Sequence, residues 1–377
     1  MEGCAARSYN AMQVDLLALW QAGVDAVRGD TSVRTALKNT PLTAPDRIIA
    51  VGKAAVSMAV PACEMWPGVP TLIITKYAHG AGAPQGAQVI EAAHPVPDDA
   101  SLAAGDAARA AVAACAPGTH LLMLVSGGAS SLCEALPEGV SLQTLQDETQ
   151  ARLASGATIA EMNAHRRSRS LVKGGKLLAP FAGARVTTLA LSDVEGDGLD
   201  VIGSGIGDAP PDAPFDFAPQ IVASNAIARA ATASASPLPV IENTETLYDS
   251  VATLAPRIGA QLRNGPPGLY VFGGEPVVTL PDTPGRGGRN MALGLALARE
   301  IAGTDGIRIL VAGTDGTDGP TDAAGAHVNG TTWDTTGDAA LQAADAYPWL
   351  EAKGALVKTG PTGTNVMDLL IAEKRAT

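Results

Sequence analysis

The sequence predicts an α/β protein of two domains, a larger N-terminal domain with a doubly wound, Rossmann-like parallel sheet and a smaller C-terminal α/β domain. The chain has 377 residues, which is more than one hydrophobic core usually holds. Short apolar, β-branched segments alternate with helical segments, as they do in parallel sheets. Hydrophobic residues make up 46% of the chain and charged residues 17%, so it folds and is not disordered.

The segments before residue 232 alternate between helix and strand. Apolar residues at helical spacing predict the first helix, and short β-branched runs predict the strands that follow. The predicted strands are 47–52, 71–75, 88–92, 121–125 and 185–191, and the predicted helices are 12–28, 54–64, 100–114 and 163–176.

Small residues and proline accumulate over 232–246, which indicates the boundary between the domains. We place it after residue 235, so that the domains are 1–235 and 236–377. The apolar, β-branched run Ile307–Ala312 predicts a buried parallel strand. The remaining predictions in this part of the chain are a strand over 269–272 and helices over 246–263, 290–302 and 334–346.

Composition narrows the possible partners and the compartment. The net charge of −12 argues against a nucleic acid or an anionic membrane as partner. The four cysteines are scattered without a paired motif, which predicts reduced thiols in a cytoplasmic protein. No signal pattern opens the chain, and no apolar run approaches the roughly 18 residues of a membrane span. We expect a cytoplasmic monomer or homodimer that acts on small molecules.

An acidic loop follows the strand predicted at Ile307–Ala312 and carries Asp315, Asp318 and Asp322 among glycines. Open α/β sheets bind ligands just beyond the carboxyl ends of their strands, and glycine lets the backbone approach a ligand closely. We therefore expect this loop to hold Mg²⁺ and a polyphosphate. The alternative is a solvated acidic turn, because Asp and Gly are ordinary turn residues.

A serine- and glycine-rich loop follows the strand at 121–125 and contains Ser126, Gly127, Gly128 and Ser130. A strand-to-helix loop of this kind can present N–H groups to a phosphate. It lacks the Gly-Lys-Ser/Thr of a Walker A loop. The alternative is a loop that only turns the chain.

Two charged residues stand at the carboxyl ends of other predicted strands. Lys53 could neutralise a phosphate as a point charge, or it could be an exposed lysine in the first turn of a helix. Asp193 could bind metal or take a proton from a hydroxyl, or it could cap a turn. Glu275, Arg286 and Arg289 repeat this pattern later in the chain, and the planar fork of Arg289 suits a carboxylate or a phosphate.

Several common catalytic motifs are absent from the sequence. No histidine pair has metal-ligand spacing, no G-x-S-x-G provides a hydrolase nucleophile, and no G-x-G-x-x-G follows the first strand. His94 precedes a proline, and we interpret it as structural. Glycine-rich loops with acids, a few bases and no nucleophile fit phosphoryl transfer, which needs positioning, Mg²⁺ and positive charge.

The sequence resembles the glycerate 2-kinase family, whose C-terminal part is called the MOFRL domain. The resemblance covers essentially the whole chain, and GTDGTDGPTDAAGA and TGPTGTN are its most specific motifs. The segments that carry it are VGKAA at 51–55, HPVPD at 94–98, SGGASSL at 126–132, MNAHRR at 162–167, KGGK at 173–176, LSDVEGD at 191–197, GGEPVVTL and GRGGRN within 273–290, GTDGTDGPTDAAGA at 313–326 and KTGPTGTN at 358–365.

This resemblance implies transfer of phosphate from ATP to the 2-hydroxyl of D-glycerate, with Mg²⁺, in a cleft between two α/β domains. It implies that Lys53 is the catalytic lysine and that Asp193 and the Asp315 loop are the acids nearby. We take Asp193 as the base and Asp315 with Asp318 as metal ligands, although the roles of Asp193 and Asp315 could be reversed. The residues expected to bind substrate or nucleotide are Ser126, Gly127, Gly128, Ser130, Asn163, Arg166, Glu275, Arg286, Arg289, Thr314, Lys358 and Asn365.

Three departures from the family pattern leave the exact hydroxy acid open. The chain has SGGASSL where the family has SGGGSAL, Arg167-Ser168 where it has Lys-His, and Ser204–Gly207 where it has SGPT. The competing hypotheses are a kinase of a related small hydroxy acid, an NAD(P)H-dependent hydroxypyruvate reductase, and a metabolite sensor without turnover.

Overall fold

The computed structural model describes residues 13–154 and 159–376, which form two compact units. One unit comprises Val27–Ser224 and Gly363–Asn365. The other comprises Asn225–Thr362 with the described residues of Met1–Ala26 and Val366–Thr377. Each unit contains one six-stranded sheet. The predicted boundary between domains 1–235 and 236–377 stays a proposal.

The elements are short, and helices and strands are interspersed along the chain. No helix among residues 13–154 and 159–376 combines the length and the apolar character needed to cross a membrane. In chain order the helices and strands are α1 (Leu16–Ala26), α2 (Gly29–Asn39), β1 (Arg47–Val51), α3 (Ala55–Met65), β2 (Thr71–Lys76), β3 (Gln88–Ala92), α4 (Asp99–Ala113), β4 (His120–Val125), α5 (Ala129–Leu132), α6 (Leu142–Ala154), α7 (Ile159–Arg169), β5 (Arg185–Leu191), β6 (Asp216–Ala223), α8 (Asn225–Ala235), β7 (Val240–Glu245), α9 (Val251–Asn264), β8 (Gly268–Gly274), α10 (Arg289–Glu300), β9 (Ile307–Gly313), β10 (Gly325–Asn329), α11 (Gly337–Gln342), α12 (Ala346–Ala352), β11 (Leu356–Val357) and β12 (Asp368–Lys374).

The first sheet is parallel throughout and has the strand order β3-β2-β1-β4-β5-β6. This confirms the predicted Rossmann-like sheet. Its central strands are apolar on both faces, as a sheet covered on both sides requires, and all six residues of β4 are buried. The strand order reverses between β1 and β4, so the loops that follow these two strands stand where such sheets bind ligands.

The second sheet is mixed and has the strand order β11-β10-β9-β12-β8-β7, in which only β7 and β8 pair in parallel. The prediction of a parallel strand at Ile307–Ala312 is therefore wrong, because β9 pairs antiparallel with both β10 and β12. A parallel connection needs a crossover, usually through a helix. No helix intervenes between β9 and β10, so the chain returns beside β9 in the opposite direction.

Two predicted helices are shorter than expected. The helix predicted over 163–176 ends at Arg169, and Gly174 and Gly175, which the prediction included, adopt positive φ angles of 62° and 78° that a helix does not accept. The helix predicted over 334–346 is replaced by α11 and α12, and Ala344 between them has a φ of 51°.

Helix α1 packs closely against α8 within the unit of the second sheet. A Cβ at Gly23 would overlap Thr232 Oγ1 and lie 2.9 Å from the carbonyl oxygen of Ala228. Thr232 also donates a hydrogen bond to the carbonyl oxygen of Leu19, at 3.2 Å. Trp20, next in α1, is fully buried. The absence of a side chain at Gly23 therefore sets the distance between the two helices.

We expect Gly23→Ala to destabilise the protein by about 1–3 kcal/mol, because the new methyl group overpacks the contact with Thr232. The measurement is the urea midpoint of unfolding followed by circular dichroism. Ala18→Leu adds a larger side chain on the exposed face of the same helix and serves as the control. Equal midpoints for wild type and Gly23→Ala would show that the contact can relax without cost.

Candidate functional site

The loops after β1 and β4 are joined by hydrogen bonds at the point where the strand order reverses. The Lys53 N–H donates to the carbonyl oxygen of Gly127 at 2.9 Å, and the Ala54 N–H donates to Ser126 Oγ at 3.1 Å. Gly52 has a φ of 129°, and a Cβ there would overlap Ser126 Oγ. Glycine is therefore required at position 52 for the two loops to approach this closely.

Asp193 and Asn365 lie on the other side of the β4 loop. Asn365 Nδ2 donates to Asp193 Oδ2 at 3.3 Å. A Cβ at Gly127 would overlap the Asp193 carboxylate and lie 3.0 Å from Asn365 Nδ2. The structure thus brings together four of the predicted site residues of this unit, namely Lys53, Gly127, Asp193 and Asn365.

Lys53 and His94 both lie against Gly128. A Cβ at Gly128, whose φ is 83°, would lie 3.1 Å from Lys53 Cγ and 3.1 Å from His94 Cδ2. None of the ion pairs between described residues of this unit involves Lys53. The ammonium group is therefore not neutralised by a carboxylate of its own unit.

His94 is uncharged at neutral pH. Burial lowers the pKa of its imidazole first, and the charges of Lys53, Lys76 and Arg166 lower it further, to about 4. Sequence reasoning treated His94 as structural, because a histidine before proline carries no catalytic signal by itself. His94 lies close to Gly128 and Lys53 only because β1, β3 and β4 belong to the same folded sheet.

Asn163 and Ser130 are held by Ser204 rather than standing open to a ligand. Ser204 Oγ donates to Asn163 Oδ1 at 3.2 Å and lies 3.0 Å from Ser130 Oγ. Ser204 belongs to the segment that departs from the family's SGPT pattern. These hydrogen bonds connect the start of α5, through Ser130, to the first half of α7, through Asn163.

A buried ion pair lies close to Arg166. Lys173 donates to Glu134 Oε2, both side chains are almost completely buried, and Glu134 Oε1 accepts from the Ala135 N–H at 3.0 Å. Burial lowers the pKa of the Arg166 guanidinium, and the charge of Glu134 opposes that shift. Nothing in the sequence indicated a role for Glu134, which belongs to no recognised motif. Lys173 was named only as part of the KGGK segment.

In the unit of the second sheet, candidate residues come together where β8 and β9 end and β12 begins. Asp368, the first residue of β12, is opposite Gly274 and Gly313 in the register. Arg289 lies at the start of α10, and its guanidinium contacts both Asp368 and Glu275. Burial lowers the pKa of Arg289, but the charge and hydrogen bonds of Asp368 outweigh burial and raise it. Asp368 was not singled out from the sequence.

Asp318 caps α10 in this structure. Its Oδ1 accepts from the Asn290 N–H at 3.1 Å and its Oδ2 from the Met291 N–H at 2.7 Å. A Cβ at Gly288 would overlap the Asp318 carboxyl group. Burial is the main cause that raises the pKa of Asp318, to about 7. Both oxygens face the helix terminus, so the assignment of a metal to Asp318 stays a prediction.

Asp315 lies beside Gly313, the residue that pairs with Asp368 in the sheet. A Cβ at Gly313 would lie 3.2 Å from Asp368 Oδ1 and 3.3 Å from Asp315 Oδ1. Asp315 Oδ1 accepts from the N–H and the hydroxyl of Thr317, each at 3.0 Å. The hydroxyl of Thr314 is buried, donates to the Met367 carbonyl oxygen and accepts from the backbone, so it turns away from this edge.

Arg286 and Lys358 form a separate cluster with Asp322 and Tyr347. The Arg286 guanidinium stacks 3.7 Å from the centre of the Tyr347 ring, and Lys358 Nζ lies 3.1 Å from Asp322 Oδ2. The Tyr347 hydroxyl donates to Asp322 Oδ1 at 2.7 Å. This hydrogen bond and that of Lys358 lower the pKa of Asp322 to about 2.

The three acids of the loop therefore do not converge on one point. Asp318 accepts from the first N–H groups of α10, where the charge of Asp368 also reaches it, Asp322 pairs with Lys358, and Asp315 accepts from Thr317. Within residues 13–154 and 159–376, no group of three or more His, Cys, Asp or Glu side chains is arranged to hold a metal ion. The sequence predicted an acidic, glycine-rich loop, but it could not predict the residues that each of its three acids contacts.

Two family profiles match the sequence. A domain of unknown function, DUF4147, matches residues 15–238, and the MOFRL family matches residues 268–368. The first match corresponds largely to the parallel sheet and the second to most of the mixed sheet.

Relatives and a solved structure cover nearly all of the chain. The D-glycerate 2-kinase of Thermotoga maritima is 36% identical over 92% of this chain and 95% of its own. A protein of Agrobacterium vitis that is provisionally named as a hydroxypyruvate reductase is 37% identical over 85% of this chain and 97% of its own. The crystal structure of a glycerate kinase from Thermotoga maritima matches with a TM-score of 0.84 and 33% identity, and covers 95% of this chain and 98% of that one.

The proximity of Lys53 to His94 can be tested by NMR titration of the histidine ring protons. In the wild type we expect His94 to titrate with a pKa of about 4. In Lys53→Met its pKa should rise, because a neighbouring positive charge is removed. It should stay below the usual value, because burial remains. His327, whose pKa is lowered mainly by burial, is the control and should not move. An unchanged His94 in Lys53→Met would show that the ammonium is not beside the ring.

Proposed function

This chain belongs to the glycerate 2-kinase family, and on that premise we propose that it transfers phosphate from ATP to the 2-hydroxyl of D-glycerate, giving 2-phosphoglycerate and ADP. One observation supports the site of this reaction above the others. No described carboxylate of its own unit pairs with Lys53, which stands at the strand-order reversal in a chain with a net charge of −12. Such a protein repels ATP and glycerate unless positive charge is placed locally.

Lys53 acts on the transferring phosphate as a point charge. Phosphoryl transfer requires stabilisation of negative charge on the phosphate oxygens more than covalent help from the protein. The main-chain bond of Lys53 to Gly127 fixes the root of its side chain beside the glycine loop. A neutral His94 next to it adds a hydrogen-bonding group without competing for the anion.

Asp193 is the proposed base for the substrate hydroxyl. It stands just beyond β5, with Asn365 Nδ2 as a hydrogen-bond donor to one oxygen. A carboxylate held in this way can accept a proton from a hydroxyl placed within hydrogen-bond reach. The closeness of Asp193 to the glycine loop favours this role over that of a turn cap.

Asp315 is the proposed Mg²⁺ ligand. Magnesium in kinases usually keeps several waters and is bound by one or two carboxylates together with substrate phosphates, so a full cage of protein ligands is not needed. Asp315 is only partly buried, and its carboxylate lies at the same edge as Asp368. When bound, the ion would neutralise charge on the ATP phosphates.

The substrate is identified by ATP consumption over a panel of small hydroxy acids, with the position of the new phosphate read by ³¹P NMR. We expect D-glycerate to be used and the phosphate to appear on the 2-oxygen. Oxidation of NAD(P)H by hydroxypyruvate without ATP would instead favour a reductase, the function named for the Agrobacterium relative. Binding of ATP and glycerate without turnover would favour a sensor.

We expect Lys53→Met to lower kcat on the order of 10²-fold or more, far beyond any rise in KM, because the lost charge acts in the transition state. Lys53→Arg should restore little, since a planar fork does not replace a point charge. Steady-state kinetics with each substrate varied is the measurement. Lys38→Met removes the same charge from an exposed position of α2 and is the control.

Other outcomes for Lys53→Met have clear meanings. If only the KM for one substrate rises, Lys53 binds that substrate and the catalytic charge lies elsewhere. If neither constant changes, the placement of the site at the end of β1 is wrong.

We expect Asp315→Asn to remove most of the activity and to raise the Mg²⁺ concentration needed for half-maximal rate, because a neutral amide is a weaker magnesium ligand. Titration of the rate with MgCl₂ at fixed ATP measures this. Asp322→Asn, in the same loop but paired with Lys358, should leave the Mg²⁺ requirement unchanged. A requirement that shifts in Asp322→Asn and not in Asp315→Asn would reverse the assignment.

A further inference from the structure

Asp368 is a buried carboxylate at the end of the second sheet where β8 and β9 finish and β12 begins, near the candidate residues of that unit. It opens β12, between β8 and β9, and none of its surface is exposed. Glu275 follows β8, and Asp315 follows β9. A buried charge at the start of a central strand is costly unless it is paired and hydrogen-bonded, so the partners of Asp368 indicate what it does.

Those partners are the side chains of the first two residues of α10. Arg289 Nε donates to Asp368 Oδ2 at 2.5 Å and Nη2 donates to Oδ1 at 3.1 Å, so the pair is bidentate. Asn290 Nδ2 donates to Oδ1 at 2.9 Å. The carboxylate thus fixes both the distance and the plane of the guanidinium.

The Arg289 side chain is not buried with its partner. It is 36% exposed, and its Nη1 lies 3.0 Å from the more exposed Glu275. Arginine has five N–H donors, and these contacts use three of them. The other N–H groups can meet a ligand, in an orientation that Asp368 sets before any ligand arrives.

We propose that Asp368 is a positioning residue of the kinase reaction, which holds the Arg289 guanidinium in the orientation that contacts an anionic group of ATP or glycerate. This proposal rests on the proposed function. The carboxylate does not touch the substrate. It acts by removing the freedom of the arginine fork, so that binding and the transition state need not order it.

The main competing explanation is that the pair only stabilises the fold. The chain offers a matched control in Glu373, a fully buried carboxylate near the other end of β12. Arg308 Nε donates to Glu373 Oε2 at 2.9 Å, so this pair has the same chemistry in the same strand. No candidate site residue belongs to it. Glu373→Gln therefore reports what loss of a buried pair does to folding alone.

The experiment compares Asp368→Asn, Arg289→Ala and the double variant, with kinetics corrected for the folded fraction measured by thermal denaturation. We expect kcat/KM for D-glycerate phosphorylation to fall on the order of 10²-fold in each single variant. The kcat/KM of the double variant should be little lower than that of Arg289→Ala, because both changes remove the same interaction between Arg289 and Asp368. Glu373→Gln should lower the melting temperature and leave kcat/KM of the folded protein unchanged.

Chemical rescue separates positioning from folding. Guanidinium ion added at millimolar concentration should partly restore Arg289→Ala, because the Asp368 carboxylate can hold it where the arginine fork stood. The same addition should not restore the double variant. Equal rescue of both, or wild-type kcat/KM in Asp368→Asn, would overturn the proposal.

Arg289→Lys keeps the experiment decisive if Asp368→Asn does not fold. Lysine retains the charge opposite Asp368 but not the planar fork. We expect a loss of kcat/KM comparable to that of Arg289→Ala, and full activity would overturn the proposal. A wild-type protein that does not phosphorylate glycerate would instead refute the proposed function, so the two failures are distinguishable.

Discussion

The hydrogen bond from the Lys53 N–H to the Gly127 carbonyl oxygen is the contact on which the candidate site in the unit of the parallel sheet depends. We call this unit the first unit and the unit of the mixed sheet the second. The hydrogen bond joins the loops of the two strands at which the order of the sheet reverses. At the same junction Gly52 adopts a positive φ against Ser126, and a side chain at Gly127 would overlap Asp193. Lys53, which we propose as the catalytic lysine, the glycine loop and Asp193 are thus brought together by backbone constraints.

In the second unit the corresponding constraint is electrostatic. Asp318 and Asp368 are buried, and burying a carboxylate is unfavourable unless its oxygens are satisfied. Asp318 is satisfied by the N–H groups that begin α10, and Asp368 by the first two side chains of the same helix. The N-terminus of α10 therefore satisfies both acids, and this is why the Gly-Arg-Asn segment stands against the Asp loop.

The sequence was sufficient for the kinase family and for five of the six strands of the parallel sheet, because motifs and β-branched runs are local signals, and it missed β6. It was insufficient for the second sheet, because an apolar strand such as Ile307–Gly313 looks the same whether its neighbours run parallel or antiparallel. Asp368 was missed for a related reason. Its partner Arg289 is 79 residues away, and no local motif marks an aspartate at the start of an apolar strand.

Local charge explains why an acidic chain can serve two kinds of ligand group. Around Lys53 the neighbours that act on His94 are cations, so this part of the first unit suits an anion. Around Arg289 the carboxylates of Asp368, Glu275 and nearby Asp315 outnumber the single guanidinium. An excess of carboxylate attracts a divalent cation, which together with Arg289 would offset the negative charge of a polyphosphate. The proposal that Asp315 binds Mg²⁺ is therefore supported by the balance of charge at that end of the sheet rather than by the number of acids in its loop.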